Sequence, residues 1–304
     1  MDIEKLLEKC ILCPRKCGVN RTNGNTGACH TAGKVKVSRA ALHMWEEPCI
    51  SGENGSGAVF FSGCALGCCF CQNKDISRGR AGKEITIERL CNIFFELMDK
   101  GANNINLVTP DHYIPQIISA IDTARKRNFH LPFVYNCSGY ETVDMIRMLD
   151  GYIDVYLPDF KFMSPEIASR YCNTPDYASY AKQSIAEMVR QCGGEKTNFD
   201  QDGIMQKGVI VRHLQLPGHI DDSKAVITYL YNTYGDDIYI SIMNQYTPME
   251  GIEKDFPELG RKLTPEEYDE LVDYAIDIGV ENGFIQEGDT ADESFIPAFD
   301  NEGV

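Results

Sequence analysis

From residue 58 onward, short apolar runs alternate with amphipathic stretches, and this alternation constrains the fold more than any other feature of the chain. The runs are Ala58 to Ser62, Ile105 to Thr109, Phe133 to Asn136, Ile153 to Leu157, Val209 to Leu216 and Ile238 to Met243. Residues 87–100, 114–128, 141–149, 177–191 and 223–234 between them repeat their apolar positions with a helical period. Strands separated by helices pair in parallel, because a crossover must return the chain to the same end of the sheet. Six such strands fit either an open doubly wound sheet or an incomplete barrel, and periodicity does not choose between them. In both architectures ligands bind beyond the carboxyl ends of the strands. The residues just after each run are therefore the informative ones.

Residues 1–57 carry a short amphipathic stretch from Ile3 to Leu12 but are otherwise rich in Gly, Cys and polar residues, and they read as a cap that a core alone does not organise. Residues 58–262 form the strand–helix body, with a polar insertion from Gly193 to Lys207. In residues 263–304, Thr264-Pro265-Glu266-Glu267 predicts a capped helix running to about Ile278, and the aperiodic last twenty residues read as extended or tethered. This last region holds thirteen Asp or Glu and no Lys or Arg, out of a whole-chain net charge of −16. Such an acid excess argues against nucleic-acid binding by net electrostatics. The acidic region is read as solvated surface or cap, with docking to a basic partner as the alternative. No apolar run approaches the ~20 residues of a membrane span.

Thirteen cysteines, eight of them clustered in two groups of four, with no export-type leader opening the chain, predict metal ligation in a reducing cytoplasm rather than disulfides. Cys91, Cys137, Cys172 and Cys192 read as small buried hydrophobes, and Cys49 is left open because it lies among motif-like residues. Directly after the first strand comes Gly63-Cys64-Ala65-Leu66-Gly67-Cys68-Cys69-Phe70-Cys71-Gln72-Asn73. Three thiolates spaced Cys-x3-Cys-x2-Cys can hold three irons of a cubane cluster and leave the fourth open for chemistry. A structural zinc site would need a fourth ligand, which would have to be Cys69 or a distant residue.

This spacing, with Phe70 just before the last cysteine, resembles the signature of the radical S-adenosylmethionine (SAM) superfamily. Cys10-Ile11-Leu12-Cys13-Pro14-Arg15-Lys16-Cys17, Gly27-Ala28-Cys29, Glu46-Glu47-Pro48-Cys49 and the terminal Phe295-Ile296-Pro297-Ala298-Phe299-Asp300 resemble uncharacterised iron–sulfur proteins similar to pyruvate formate-lyase activating enzymes. The resemblance implies an α/β fold, an incomplete (β/α)6 TIM-like barrel with a Cys-rich N-terminal cap and an acidic C-terminal extension. It implies that Cys64, Cys68 and Cys71 hold a [4Fe-4S] cluster whose open iron binds SAM, with Cys69 spare. By the same analogy the enzyme, an oxidoreductase, cleaves SAM reductively to a 5′-deoxyadenosyl radical that abstracts hydrogen from a substrate. The implied partners are an electron donor such as flavodoxin or ferredoxin and a substrate, whether a backbone glycine of a glycyl-radical enzyme, another protein, a peptide or a small molecule. A non-enzymatic iron–sulfur protein for electron transfer or sensing is the alternative reading.

In the resembled enzymes a Gly-Gly-Glu segment follows the second strand; here it reads Val108-Thr109-Pro110-Asp111. Thr109 and Asp111 are candidates for the cofactor's amino group, against a plain helix-capping turn. Asn136 and Ser138 are candidates for its ribose hydroxyls, against a turn at Gly139. Asp159 and Lys161 match a segment facing the reaction chamber, against a structural ion pair. Arg212 suits a carboxylate through its planar fork, and His213 beside it is either a cofactor contact or structural. Met243 to Pro248 is a polar cluster that could border the substrate opening. Cys10, Cys13, Cys17 and Cys29 supply the four thiols of an auxiliary iron–sulfur cluster or zinc site that would order the cap, with His30 as a lesser ligand.

Overall fold

The structure is a computed structural model that describes residues 3–286 and 297–304, so Phe295 and Ile296 of the terminal motif lie outside the described residues. Among the described residues, ten strands occur in chain order: β1 Val35–His43, β2 Ser56–Phe61, β3 Lys83–Ile85, β4 Ile105–Val108, β5 Phe133–Cys137, β6 Val155–Pro158, β7 Asn198–Phe199, β8 Met205–Leu214, β9 Tyr239–Met243 and β10 Gly283–Ile285. The helices are α1 Ile3–Glu8, α2 Pro48–Ser51, α3 Lys74–Ser77, α4 Ile87–Asp99, α5 Ile114–Lys126, α6 Val143–Met148, α7 Pro165–Cys172, α8 Tyr177–Cys192, α9 Ile220–Tyr234 and α10 Pro265–Asp277. None is long and apolar enough to cross a membrane.

The main sheet runs β10-β9-β8-β6-β5-β4-β2-β1-β3, with the short β7 attached to β8. From β2 to β10 every neighbouring pair is parallel, and β1 and β3 add an antiparallel margin. Each parallel strand lies beside its predecessor along that path, so the winding never reverses. A doubly wound sheet reverses at a switch point. This mixed α/β fold with an unclosed sheet is thus consistent with a partial barrel.

All six predicted strands are present, as β2, β4, β5, β6, β8 and β9. The polar insertion holds β7 and the start of β8. The predicted helix is α10, with a reciprocal capping box in which the Thr264 side chain accepts from the Glu267 N–H. Residues 1–57 hold more regular structure than expected, because β1 lies inside them and pairs along β2. Its alternation is broken by a register shift between Val37 and Arg39, and this hides its strand period. Beyond α10, β10 joins the sheet beside β9.

Alternate residues of each strand face opposite sides. Phe133, Tyr135, Tyr156, Val209 and Val211 pack with the helices, whereas Val134, Val155, Leu157 and Ile210 form a second cluster with Met205 and with Cys49 and Ile50 of α2. Cys49 is therefore a buried packing residue on the face away from the helices. Residues 297–304 are tethered, as expected: the Asn301 N–H donates to the Ser38 carbonyl at 3.0 Å, and the Ala40 N–H to that of Glu302 at 2.8 Å. The acidic end also meets a base there, since Arg39 pairs with Asp300 and Glu302.

Candidate functional site

The chain leaves β2 through Gly63, whose φ of +96° and closeness to the Cys29 carbonyl leave no room for a side chain. The loop that follows is held from three sides. Arg15 donates through Nε to the Ala65 carbonyl at 3.0 Å, through Nη2 to those of Leu66 at 3.3 Å and Cys172 at 3.0 Å, and through Nη1 to that of Asn173 at 2.9 Å. One residue of the N-terminal segment thus ties the cysteine loop to the end of α7, whose last carbonyls have no helical partners. The Cys69 N–H donates to the Tyr171 carbonyl at 2.9 Å, and Gln72 Nε2 to that of Gln245 at 2.6 Å. Phe70 inserts edge-on among Phe162, Tyr171 and Tyr246, with ring centroids 6.1, 6.1 and 6.4 Å away.

Cys64, Cys68, Phe70 and Cys71 all border a cavity of about 440 Å³, whereas Cys69 does not. Thr109, Asn136, Ser138, Asp159, Lys161 and Arg212 border the same cavity. The sheet thus gathers the carboxyl ends of β2, β4, β5, β6 and β8. Thr109 takes a left-handed φ of +57°, an uncommon conformation for a β-branched residue, at the cavity wall. Met243 and Gln245 border the cavity as well. His213 is placed elsewhere: one residue on from Arg212 in the strand, it points to the other face, where Nδ1 meets the Phe160 carbonyl at 2.8 Å. Asp111 is not a wall residue either. It lies behind β5, where it accepts from the Tyr135 hydroxyl at 3.1 Å and shares a hydrogen bond with Glu141. Burial pushes its carboxyl up to about 6.

The cavity holds a buried charge network. Arg212 donates through Nε to Asp159 at 3.0 Å, through Nη1 to Glu46 at 3.2 Å and through Nη2 to Asn136 Oδ1 at 2.7 Å. Lys161 Nζ donates to the other oxygen of Asp159 at 2.6 Å. Burial pushes Asp159 upward, but Lys161 and Arg212 outweigh it and hold the carboxyl below its ordinary value. Glu46 and Glu47 are raised, chiefly by burial, with Arg212 opposing. The fork of Arg212, read from sequence as a carboxylate grip for a cofactor, is therefore filled by the protein's own groups. Sequence reasoning quoted Glu46 and Glu47 only within the resemblance and did not single out Arg15. Their partners lie far away in the chain, so nothing local marked them.

In the N-terminal segment, Cys10, Cys13 and Cys29 are buried and Cys17 is exposed. Arg21, 1% exposed, donates to the carbonyls of Ala32 and His112 and to the Thr31 hydroxyl, and its guanidinium lies over the Tyr113 ring. A buried arginine thus organises part of this region. Among the described residues, the only Cys, His, Asp or Glu trio with all ligand atoms within 4.8 Å of one another is Asp111, Cys137 and Glu141. Thiolates sharing one zinc at ~2.3 Å sit about 3.8 Å apart. Neither the loop thiols nor the cap thiols are gathered that tightly.

A family model described as the Radical SAM superfamily matches residues 58–199. Over 279 residues the chain is 29% identical to the uncharacterised protein MJ0674 of Methanocaldococcus jannaschii, covering 90% of this chain and 75% of that one. Among solved structures it is similar to SuiB of Streptococcus suis bound to S-adenosylmethionine, at 12% identity and a TM-score of 0.49, over 75% of this chain and 49% of that one. The SuiB structure with the precursor peptide SuiA matches at 11% identity and a TM-score of 0.48, over 75% of this chain and 47% of that one. The chain thus spans about half the length of these solved structures. The family match starts in β2 and runs through the three-cysteine loop and strands β4, β5 and β6, so residues 58–199 are similar to the radical SAM superfamily.

Proposed function

We propose that this protein is a radical SAM enzyme in which Cys64, Cys68 and Cys71 hold a [4Fe-4S] cluster and the adjoining cavity takes S-adenosylmethionine and a substrate. The observation that carries the reading is the selection of three thiols from four: Cys64, Cys68 and Cys71 border one cavity and Cys69 does not. A cluster held by Cys64, Cys68 and Cys71 would supply one-electron reducing power for cleavage of SAM. The chain's own part is positional. Arg15 and the aromatic cage around Phe70 fix the loop, while Thr109, Asn136 and Ser138 present hydroxyl and amide groups along the wall. Asp159 and Lys161 keep a buried ion pair at the cavity wall, with Lys161 near enough to Cys68 to act on it electrostatically.

The resemblance of the cap and terminal segments extends the reading to activation of a glycyl-radical enzyme, with modification of a peptide or small molecule as the other substrate class. It also supports an auxiliary iron–sulfur cluster or zinc on Cys10, Cys13, Cys17 and Cys29, a flavodoxin- or ferredoxin-type electron donor and a cytoplasmic setting. The test is anaerobic reconstitution with iron and sulfide analysis and an assay of dithionite-dependent 5′-deoxyadenosine release. Cys64→Ala, Cys68→Ala and Cys71→Ala should each abolish release, and Cys69→Ala should retain most of it. Equal loss at Cys69, or no release from well-loaded wild-type protein, would overturn the reading. Iron kept by the triple variant would report the auxiliary cluster.

A further inference from the structure

The charge network around the cavity is incomplete in one specific way. It contains three carboxylates, Glu46, Glu47 and Asp159, against two cations, Arg212 and Lys161. Arg212 has all three of its guanidinium nitrogens engaged, and Lys161 is paired with Asp159. Glu46 is satisfied: one oxygen accepts from Asn106 at 3.1 Å and Asn136 at 3.3 Å, the other from Arg212 at 3.2 Å. Glu47 is not. Its Oε2 has no hydrogen-bond partner, although the residue is only 8% exposed and borders the cavity. His43, the remaining basic wall residue, is held toward its neutral form by burial and by Arg39.

A buried carboxylate oxygen without a donor is costly and uncommon in a folded chain, and it asks for a ligand or a proton. Its setting narrows the choice. The neighbouring Ser241 engages the Glu47 carboxyl, and α2, which begins at the next residue, anchors the backbone through Cys49 and Ile50 in the apolar cluster on β5, β6 and β8. The glutamate is thus presented on a packed base rather than on a loose loop. Because every cation in the network is already paired, the unmet demand of this cavity is for positive charge, not for an anion.

We propose that Glu47, backed by Glu46, is a recognition site for a cationic group, a primary ammonium or a guanidinium, on the substrate. The word substrate rests on the radical SAM reading; the cation site itself does not.

The test is calorimetric titration of the full chain with n-butylammonium chloride and agmatine, against n-butanol and butyramide as uncharged comparators. Saturable binding is expected for the two cations, at least about tenfold tighter than for either neutral compound, and about tenfold weaker in Glu47→Gln. Titration of the reconstituted chain with S-adenosylmethionine, which carries its own ammonium, is expected to be the same in wild type and Glu47→Gln. Equal affinity for cations and neutral compounds overturns the site, as does unchanged cation binding in the variant. A parallel loss of S-adenosylmethionine affinity also overturns it, by assigning Glu47 to the cofactor. Wild type that binds the cations but not S-adenosylmethionine supports the cation site while refuting the radical SAM reading. Should Glu47→Gln fail to fold, Glu47→Asp, which withdraws the charge by one methylene, carries the same expected weakening.

Discussion

Arg15→Ala should loosen the cysteine loop without touching a cysteine. The side chain makes four hydrogen bonds to carbonyls of Ala65, Leu66, Cys172 and Asn173, three part-buried and one exposed. Hydrogen bonds to a charged group contribute ~1.5–3 kcal/mol each when well shielded. Water can replace part of the guanidinium here, so about 1 kcal/mol for each part-buried bond, or about 3 kcal/mol in total, is a fair expectation. At ~2.1 cal/mol/K per residue, unfolding of 304 residues carries about 0.64 kcal/mol/K, so the loss corresponds to about 5 °C in Tm. Arg15→Lys should recover less than half, because one ammonium cannot span four carbonyls on two segments. Differential scanning calorimetry measures the first effect. Hydrogen exchange at the Cys69 amide, bonded to the Tyr171 carbonyl, measures whether the loop itself has loosened. A variant within about 1 °C of wild type, with unchanged exchange at Cys69, would refute the argument that this arginine holds the loop on α7.

Three further outcomes follow from the same geometry. Phe70→Ala removes a buried ring from contact with three aromatic side chains and should cost ~3–5 kcal/mol, or about 5–8 °C by calorimetry, with Phe70→Leu clearly milder; equal losses would count against the aromatic cage. Asp111 has its folded pKa raised from 3.8 to about 6, so the stability linked to its proton is fully present below about pH 4 and lost as pH rises through about 6. Asp111→Asn should therefore gain on wild type by up to about 3 kcal/mol between pH 4 and pH 7.5 in denaturant titrations, and a pH-independent difference would sink the idea that burial raises this carboxyl. Thr109→Gly exchanges ~1–2 kcal/mol of left-handed strain for a similar loss of chain entropy, so Tm should stay within about 2 °C; a much larger fall would mean that the side chain, not the backbone, is what the cavity wall needs.

How much was legible in the chain follows from the range of each interaction. The cysteine loop was readable as a candidate site because three thiols fall within eight residues, from Cys64 to Cys71, where spacing limits what they could bind. Strand ends such as Asn136, Asp159 and Arg212 were readable as positions, because in parallel α/β sheets ligands collect at carboxyl ends. Their partners were not. That Arg212 spends its fork on Asp159, Glu46 and Asn136 depends on bringing together residues from 46 to 212 in the chain. His213 illustrates the same limit from the other side, since a change of one residue along a strand reverses the face and removes it from the cavity.

By itself, the sequence determined the strand–helix alternation, the parallel pairing that alternation requires, the carboxyl-terminal location of the candidate site and the three-thiol loop, because each is encoded by local period or short spacing. Only the tertiary structure decided the unreversed strand order, the recruitment of β1 and β10 into the sheet, the clamp of Arg15 on the loop and the unpaired oxygen of Glu47. Those depend on contacts between residues tens to hundreds of positions apart, and the free energy that selects them resides in burial and pairing across the fold rather than in any segment of the chain.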